Sequence, residues 1–259
     1  MIKKLLFDKK FNIIYSLFAV IVMWAVWMIA AAAVNNELII APFAPSAGEF
    51  FALFAKTFFW QALSNTLLRT LIALALSFFT ALALACLSAL FPPFEAFMRP
   101  IAALLRSLPT MAVLLLIKVR FLPQTSPVVV AMLVLFPMIY SQLYEGISGV
   151  DGELLGMAKV YKLTFAQKLK YIYLPHIAPS ALENTGVNLS FALKLIVSAE
   201  VMALTRTAIG GMMSEASAYY NFPRLAALTL VAVLFGIAVE LLFRALSFAL
   251  FKWRRSGND

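Results

Sequence analysis

Several residue types that define common enzyme and metal sites are almost absent from this sequence. There is one cysteine, Cys86, inside an apolar run, so an intrachain disulfide is impossible. The single histidine, His176, has no second histidine and no cysteine beside it, so the sequence indicates no metal site. The patterns G-x-x-x-x-G-K-[ST], H-E-x-x-H and G-x-S-x-G do not occur. We therefore expect no catalytic residues and no cofactor bound by this chain, so that energy must come from a partner or an ion gradient.

Charged residues are also scarce. They form 13% of the 259 residues, whereas 63% are hydrophobic, with 23 Phe and a mean hydropathy of +0.93. Because about a quarter of the residues in a soluble domain are charged, this chain is predicted to be solvated by lipid. Lys and Arg outnumber Asp and Glu by 21 to 12, but no basic stripe interleaved with aromatic residues supports nucleic-acid binding. In a membrane protein such an excess marks cytoplasmic segments that face anionic lipid.

The long apolar runs predict an all-α membrane protein with six spans. These are residues 12–34, 66–90, 101–117, 127–144, 181–204 and 225–249. The first run follows several lysines, as in a signal peptide, but it is about 24 residues long and signal-peptide apolar regions are roughly 7–15. We interpret it as an uncleaved span. The third run has Arg106 and Pro109 within one turn, which predicts a broken helix.

The segment between the first two spans is predicted to form a helix that begins at Ser46, with Glu49 completing a capping box. Phe50, Phe54 and Phe58 follow at intervals of four residues. Such an aromatic face either lies in the membrane interface or packs on neighbouring spans.

The distribution of Lys and Arg favours both termini in the cytoplasm. With that orientation the cytoplasmic segments hold twelve of these residues and the external segments hold six, as the positive-inside bias requires. The even number of spans agrees with it. No internal repeat and no soluble domain is visible in the sequence.

In this topology residues 145–180 form the longest cytoplasmic connection. Asp151 is a suitable N-cap for one helix and Thr164 for a second. Pro175 is predicted to end the second helix. Connections between helices are typically about 2–8 residues long, so this basic, helix-forming segment is predicted to be a rigid protrusion rather than a simple linker.

Short motifs in this segment and beyond it carry a family resemblance. Ala158 and the ending Ile172-Tyr-Leu174-Pro175 lie at the spacing of the signature E-A-A…I-x-L-P. SLP at 107–109, SAEV at 198–201 and IGGMM at 209–213 resemble further elements of the same family. On these residues the chain, from about 63 to 255, resembles the permease subunit of a bacterial ABC importer of the nitrate, taurine, sulfonate and thiamine-precursor type. Residues 1–62 are then an N-terminal span with an external helix, and 256–259 are a tail.

The resemblance implies a type I importer fold in which residues 145–180 contain the coupling helix, which seats in a groove of a separate ATPase subunit. The residues expected at that contact are Gly156, Met157, Ala158, Tyr161, Lys162, Leu163 and Thr164. The resemblance also implies a second permease chain, most simply in a homodimer, two cytoplasmic ATPase subunits that bind ATP-Mg, an external solute-binding protein, and a location in the bacterial inner membrane. The competing interpretation is a lipid-facing amphipathic loop whose lysines contact headgroups.

Polar and charged residues inside the spans should face protein or water, because a charge in mid-bilayer is costly. The candidates for the translocation path are Arg106, Pro109, Asn188, Lys194, Ser198, Glu200, Gly210 and Gly211. Lys194 either lines the path and attracts an anionic or zwitterionic solute, or pairs with a carboxylate on another span, for which Glu240 is a candidate.

The main hypothesis is therefore a permease subunit of an ATP-driven importer, which moves a small anionic or organic solute from a binding protein into the cytoplasm. The alternative is an ion-coupled secondary transporter in which Lys194 and Glu200 are the coupling groups. The inverted halves of such a transporter are not visible in the sequence.

Overall fold

The computed structural model describes residues 9–34, 36–37 and 39–250, and within these residues every regular element is helical. The helices are α1 (Lys9–Val34), α2 (Phe43–Phe54), α3 (Thr57–Leu90), α4 (Pro92–Ser107), α5 (Thr110–Arg120), α6 (Ser126–Ser148), α7 (Gly152–Val160), α8 (Phe165–Lys168), α9 (Leu174–Ala203), α10 (Ile209–Ala218) and α11 (Phe222–Leu250). A π-helical turn, Leu169–Tyr173, joins α8 to α9. The predicted all-α fold is thus confirmed.

Within the described residues, four helices are long and apolar enough to cross a membrane: Thr57–Leu90, Ser126–Ser148, Ala166–Ala203 and Phe222–Leu250. They contain the predicted spans 66–90, 127–144 and 225–249 and nearly all of 181–204. The bent pair α4 and α5 raises the number to five if it forms one broken span. Helix α1, Lys9–Val34, covers the first predicted span.

The predicted break in the third span is confirmed. Helix α4 ends at Ser107, α5 begins at Thr110, and the two axes differ by 91°. Leu108 has φ −67° and ψ 128°, the extended conformation that a following proline imposes. The proline ring at 109 therefore redirects the chain in the place where the sequence pattern predicts it.

Helix α6 lies at the centre of the bundle. It packs against α3 and α9, and α9 packs in turn against α11. The α3 face of this contact is formed by small residues, Ala73, Ala81 and Ala85, which are fully buried. Small residues allow two spans to approach closely. The Ser88 and Tyr140 hydroxyls are hydrogen-bonded across the same contact at 2.7 Å.

The predicted start of the second helix is wrong. Helix α2 begins at Phe43, directly after Pro42 in the extended conformation. Ser46 lies inside the helix, where its hydroxyl donates to the Pro42 carbonyl at 2.7 Å. A serine that bonds back to the preceding turn cannot also cap the next one. Helix α2 packs against α11 through a face that includes the buried Leu53. Of the two placements predicted for this helix, the structure therefore favours packing on a neighbouring span over lying in the membrane interface.

Pro175 does not end its helix, which is a second correction. The helical segment continues from Ala166 to Ala203 through the π-helical turn. In that turn the Leu174 N–H donates to the Leu169 carbonyl, five residues back. A proline normally clashes with the carbonyl four residues before it. The wider π turn accommodates Pro175, so α8 and α9 form one continuous rod.

Candidate coupling element and transport path

The segment between α6 and α9 folds as two capped helices joined by a tight turn. The Asp151 carboxylate accepts from the Glu153 N–H at 2.9 Å and caps α7. The Gln167 side chain accepts from the Thr164 N–H at 2.8 Å, and the Thr164 hydroxyl accepts from the Gln167 N–H at 3.4 Å. This reciprocal arrangement is a capping box. Both N-caps predicted from the sequence are therefore confirmed.

The turn between α7 and α8 is a Schellman motif that ends α7. The Leu163 N–H donates to the Ala158 carbonyl at 2.9 Å, and the Lys162 N–H donates to the Lys159 carbonyl at 3.1 Å. Lys162 occupies the left-handed position, with φ 52°, where glycine is usual. The caps and this turn make residues 151–167 a rigid unit.

A small core of its own holds this unit against the beginning of α9. Ala158 is fully buried and packs with Val150 and Ile172. The side chain of Ala158 therefore faces inward and does not reach a partner, contrary to its predicted contact role. Leu163 is half-buried on the edge of the same core.

The remaining residues of the predicted contact lie on the outside of the unit. They are Gly156, Met157, Tyr161, Lys162 and Thr164. Tyr161 is 73% exposed, and a methyl group added at Gly156 would meet nothing within 4 Å. Val160, at 78%, belongs to the same surface. It was missed in the sequence because a single valine carries no motif. We call the exposed residues 156, 157 and 160–162 the coupling surface.

The path candidates in α9 lie on different faces of the helix. Lys194 and Ser198 are exposed, whereas Asn188 is buried against α6. The Asn188 side-chain amide donates to the Gln142 carbonyl oxygen at 2.9 Å, and the Gln142 amide donates back at 3.4 Å. The pair borders a cavity of about 20 Å³, which suffices for about one water molecule. Asn188 thus joins α6 to α9 instead of sharing a face with Lys194.

Glu200 is completely buried, and its carboxylate is bonded to three residues on two other helices. One carboxylate oxygen accepts from the Arg69 guanidinium at 2.8 Å and from the Thr66 hydroxyl at 3.1 Å. The other lies 2.9 Å from the same hydroxyl and accepts from the Gly210 N–H at 3.2 Å. The carboxylate therefore links α3, α9 and the first turn of α10. A negative group suits that helix N-terminus.

The Arg69–Glu200 pair was not predicted from the sequence, because the two residues lie 131 positions apart. An arginine only three residues inside the predicted second span was the signal that a buried partner existed. Glu200 points away from the exposed face that carries Lys194. The alternative transporter mechanism, in which these two residues act together, consequently finds no support in the geometry.

Gly210 and Gly211 allow α10 to begin directly against the end of α9. A Cβ at Gly210 would lie 2.5 Å from both the Val197 carbonyl and the Glu200 side chain. A Cβ at Gly211 would overlap the Thr205 carbonyl. These two glycines are therefore positions where the close packing of α9 and α10 leaves no room for a side chain.

The proposed pair between Lys194 and Glu240 is wrong. Ser190 lies opposite Gly236, and the Glu240 carbonyl lies beside Gly186. Gly186 is eight residues from Lys194, about 12 Å along the helix axis. That separation keeps the ammonium and the carboxylate apart, and no ion pair joins them in the structure. The remaining path candidates, Arg106 and Pro109, are exposed at the break between α4 and α5.

Residues 80–252 match the model of the family described as "Binding-protein-dependent transport system inner membrane component". The chain belongs to this family. Its members are multi-pass proteins of the inner membrane. The predicted family, the membrane location and the absence of an ATPase function in the permease itself are therefore confirmed.

Two permease proteins are similar in sequence. The putative aliphatic sulfonates transport permease protein SsuC of Bacillus subtilis (strain 168) is 27% identical over 163 residues, which are 62% of this chain and 59% of the relative. The taurine transport system permease protein TauC of Escherichia coli (strain K12) is 26% identical over 195 residues, 75% of this chain and 70% of the relative. The match to SsuC thus spans less than two thirds of that protein.

Solved structures confirm the fold of the permease. A bacterial ABC transporter involved in the import of the acidic polysaccharide alginate superposes with a TM-score of 0.67 over 94% of this chain and 97% of that chain, at 15% identity. An inward-facing MetNI methionine ABC transporter superposes with a TM-score of 0.64 over 73% of this chain and 96% of that chain, at 14% identity. The cytoplasmic placement of both termini and the domain boundaries at 62 and 255 stay predictions, and residues 1–8 and 251–259 lie outside the described residues.

Proposed function

We propose that the chain is the permease subunit of an importer driven by a separate ATPase, and that it moves a small organic solute from an external binding protein into the cytoplasm. The observation that carries this proposal is the capped unit 151–167 with its exposed coupling surface. It has the rigidity of a docking element, and a long helix connects it directly to the membrane bundle.

The continuous helix from Ala166 to Ala203 supports a mechanical role for this unit. A partner that moves the coupling surface displaces α8, the π-helical turn and α9 together, because no flexible linker interrupts them. On the other side only Gly149, Val150 and Asp151 separate α7 from α6. Rigid elements that are joined in this way carry a displacement across a protein as a rigid-body motion. The two helices attached to the unit are the ones that pack on each other in the centre of the bundle.

The working complex contains a second permease chain, most simply an identical one, because one chain forms only half of a passage. Two ATPase subunits bind ATP-Mg and contact the coupling surfaces from the cytoplasm, and a binding protein delivers solute from outside. Membrane lipid surrounds the spans, and nucleic acid has no part in the complex. The names of the two relatives refer to aliphatic sulfonates and taurine, which favours a small organic solute with an anionic group.

The proposal is tested by reversing the chemistry of the coupling surface. In the reconstituted complex, Tyr161→Asp and Lys162→Glu are expected to abolish the stimulation of ATP hydrolysis by the loaded binding protein, while the permease stays folded in the membrane. Both side chains are exposed, so neither substitution disturbs the core of the unit. The measurement is the rate of phosphate release with and without the binding protein.

The matched control is Lys170→Glu, which makes the same charge change outside the coupling surface, at an exposed lysine close to the Tyr171 ring. It is expected to retain stimulation. Normal stimulation in both Tyr161→Asp and Lys162→Glu would remove the coupling assignment. Loss of stimulation in the control as well would mean that charge on the cytoplasmic side, not this surface, is what the ATPase senses.

A further inference from the structure

One face of α9 carries polar groups that no other part of the described chain covers. Its polar members, Glu183, Lys194 and Ser198, are exposed, and two apolar side chains lie among them, the exposed Val187 and the half-buried Phe191. They follow one another at intervals of four, four, three and four residues and so share one side of the helix. We call this set the polar stripe. It lies between the side of α9 that packs on α6 and the side that packs on α11.

Lipid is an unsuitable neighbour for this stripe. Lys194 lies nine residues before the end of α9 at Ala203, about 14 Å along the axis and near the middle of a hydrocarbon core of about 30 Å. An ammonium at that depth costs roughly 2.5–3.5 kcal/mol on insertion scales. Lysine side chains escape this cost by reaching the interface only when they are close to a helix end.

No carboxylate in the described part of the chain neutralises Lys194. Glu240 lies about 12 Å away along the axis, and Glu183 is eleven residues back on α9, about 16 Å. Glu200 is buried and bonded to Arg69. The ammonium is thus an uncompensated positive charge on an open face, and water, an anion or a second protein surface must meet it.

We propose that the polar stripes of two copies of this chain face each other across a water-filled passage, and that the two Lys194 ammonium groups together bind the anionic group of the solute. This inference rests on the proposed function, because it assumes an importer with two permease chains. A two-fold axis brings identical surfaces together, so the stripe of one copy meets the stripe of the other. Two ammonium groups in one passage repel each other, and an anion between them relieves that repulsion.

The test uses the charge of a thiol reagent as the probe. The only cysteine, Cys86, is replaced by serine, and Ser198→Cys then places a single thiol one turn from Lys194 in the assembled complex. Its reaction rate is measured with sulfonatoethyl methanethiosulfonate, a small alkanesulfonate anion, and with the trimethylammonium reagent of similar size. The control is Leu234→Cys, an exposed apolar position of α11 that faces lipid in this arrangement.

The thiol at 198 is expected to react readily and the thiol at 234 slowly, because thiolate forms only in contact with water. The anionic reagent should react roughly tenfold faster than the cationic one, relative to a free thiol. The reason is the Coulomb interaction between the charge of the reagent and the Lys194 ammonium, which are separated by about 7 Å in an aqueous passage. Lys194→Met should abolish this preference, and Lys194→Arg should restore it. A substitution that merely disturbed folding would change both rates in the same direction without producing this dependence on the charge of the reagent.

The result that would overturn the inference is a thiol at 198 as unreactive as that at 234, or a preference that survives Lys194→Met. The reagent ratio does not depend on ATP hydrolysis, so it separates the two proposals. If the coupling variants keep normal stimulation while the ratio behaves as expected, the proposed coupling function fails and the anion site stands. If stimulation is lost in those variants and the ratio stays near one, the importer stands without this site.

Discussion

Substitution of Glu200 provides the most direct test of how α3, α9 and α10 are held together. In Glu200→Gln the guanidinium of Arg69 loses its counter-ion, and an amide NH2 group replaces one of the two carboxylate oxygens. Whichever way the amide turns, its NH2 group faces another hydrogen-bond donor. In the unsubstituted protein these donors are the Gly210 N–H, 3.2 Å from one carboxylate oxygen, and the Arg69 guanidinium, 2.8 Å from the other. Arg69 is only 13% exposed, so water relieves little of the unpaired charge.

Removing one partner of a buried ion pair typically destabilises a protein by about 3–5 kcal/mol. For a chain of this size, at roughly 2–4 °C for each kcal/mol, the expected fall in melting temperature is about 6–20 °C. The measurement is thermal unfolding of the purified permease in detergent, followed by intrinsic fluorescence. Arg69→Met together with Glu200→Met should cost less than the two single substitutions added together, because no unpaired charge then remains.

The other ion pair in the described residues supplies a matched control. Arg99 and Glu95 lie 2.9 Å apart on α4, but the Arg99 side chain is 77% exposed. Exposed pairs contribute about 0–1 kcal/mol, so Glu95→Gln should change the melting temperature little. If Glu200→Gln lowers it no more than Glu95→Gln does, the buried network does not stabilise the bundle and our interpretation of Glu200 is wrong.

Two further pairs of substitutions test the close approach at Gly211 and the contact between α6 and α9. Gly211→Ala should destabilise the permease by about 1–3 kcal/mol or more, because a backbone carbonyl occupies the space of the new methyl group. Gly156→Ala is in an open position on a helix and should stabilise the permease by about 0.5–1 kcal/mol. Equal melting temperatures of the two variants would contradict this reasoning. Asn188→Leu should cost about 1–3 kcal/mol because it leaves the buried amide of Gln142 without its partner, and the double replacement with Gln142→Leu should recover part of that loss in the same melting experiment. Full additivity of the two leucine substitutions would refute the paired-amide interpretation.

The features that were predicted correctly from the sequence depend on neighbouring residues. The break at Pro109 and the N-caps at Asp151 and Thr164 each involve groups within about one helical turn, and each apolar run is a property of one continuous segment. The errors also have local causes. Ser46 has a competing bond to Pro42 within its own turn, and the π-helical turn before Pro175 cannot be recognised from propensity alone.

The amino-acid order is sufficient to establish a helical membrane protein of the transport-component family, because lipid solvation, chain breaks and caps are properties of short segments. It does not reveal that Ala158 faces inward, that Glu200 finds Arg69 131 positions away, or that Glu240 lies too far along its helix to reach Lys194. Those relations depend on the rotation and the axial register of packed helices, and a sequence read one segment at a time contains neither. Three-dimensional packing therefore separated the buried charge of Glu200, which is paired with Arg69, from the exposed charge of Lys194.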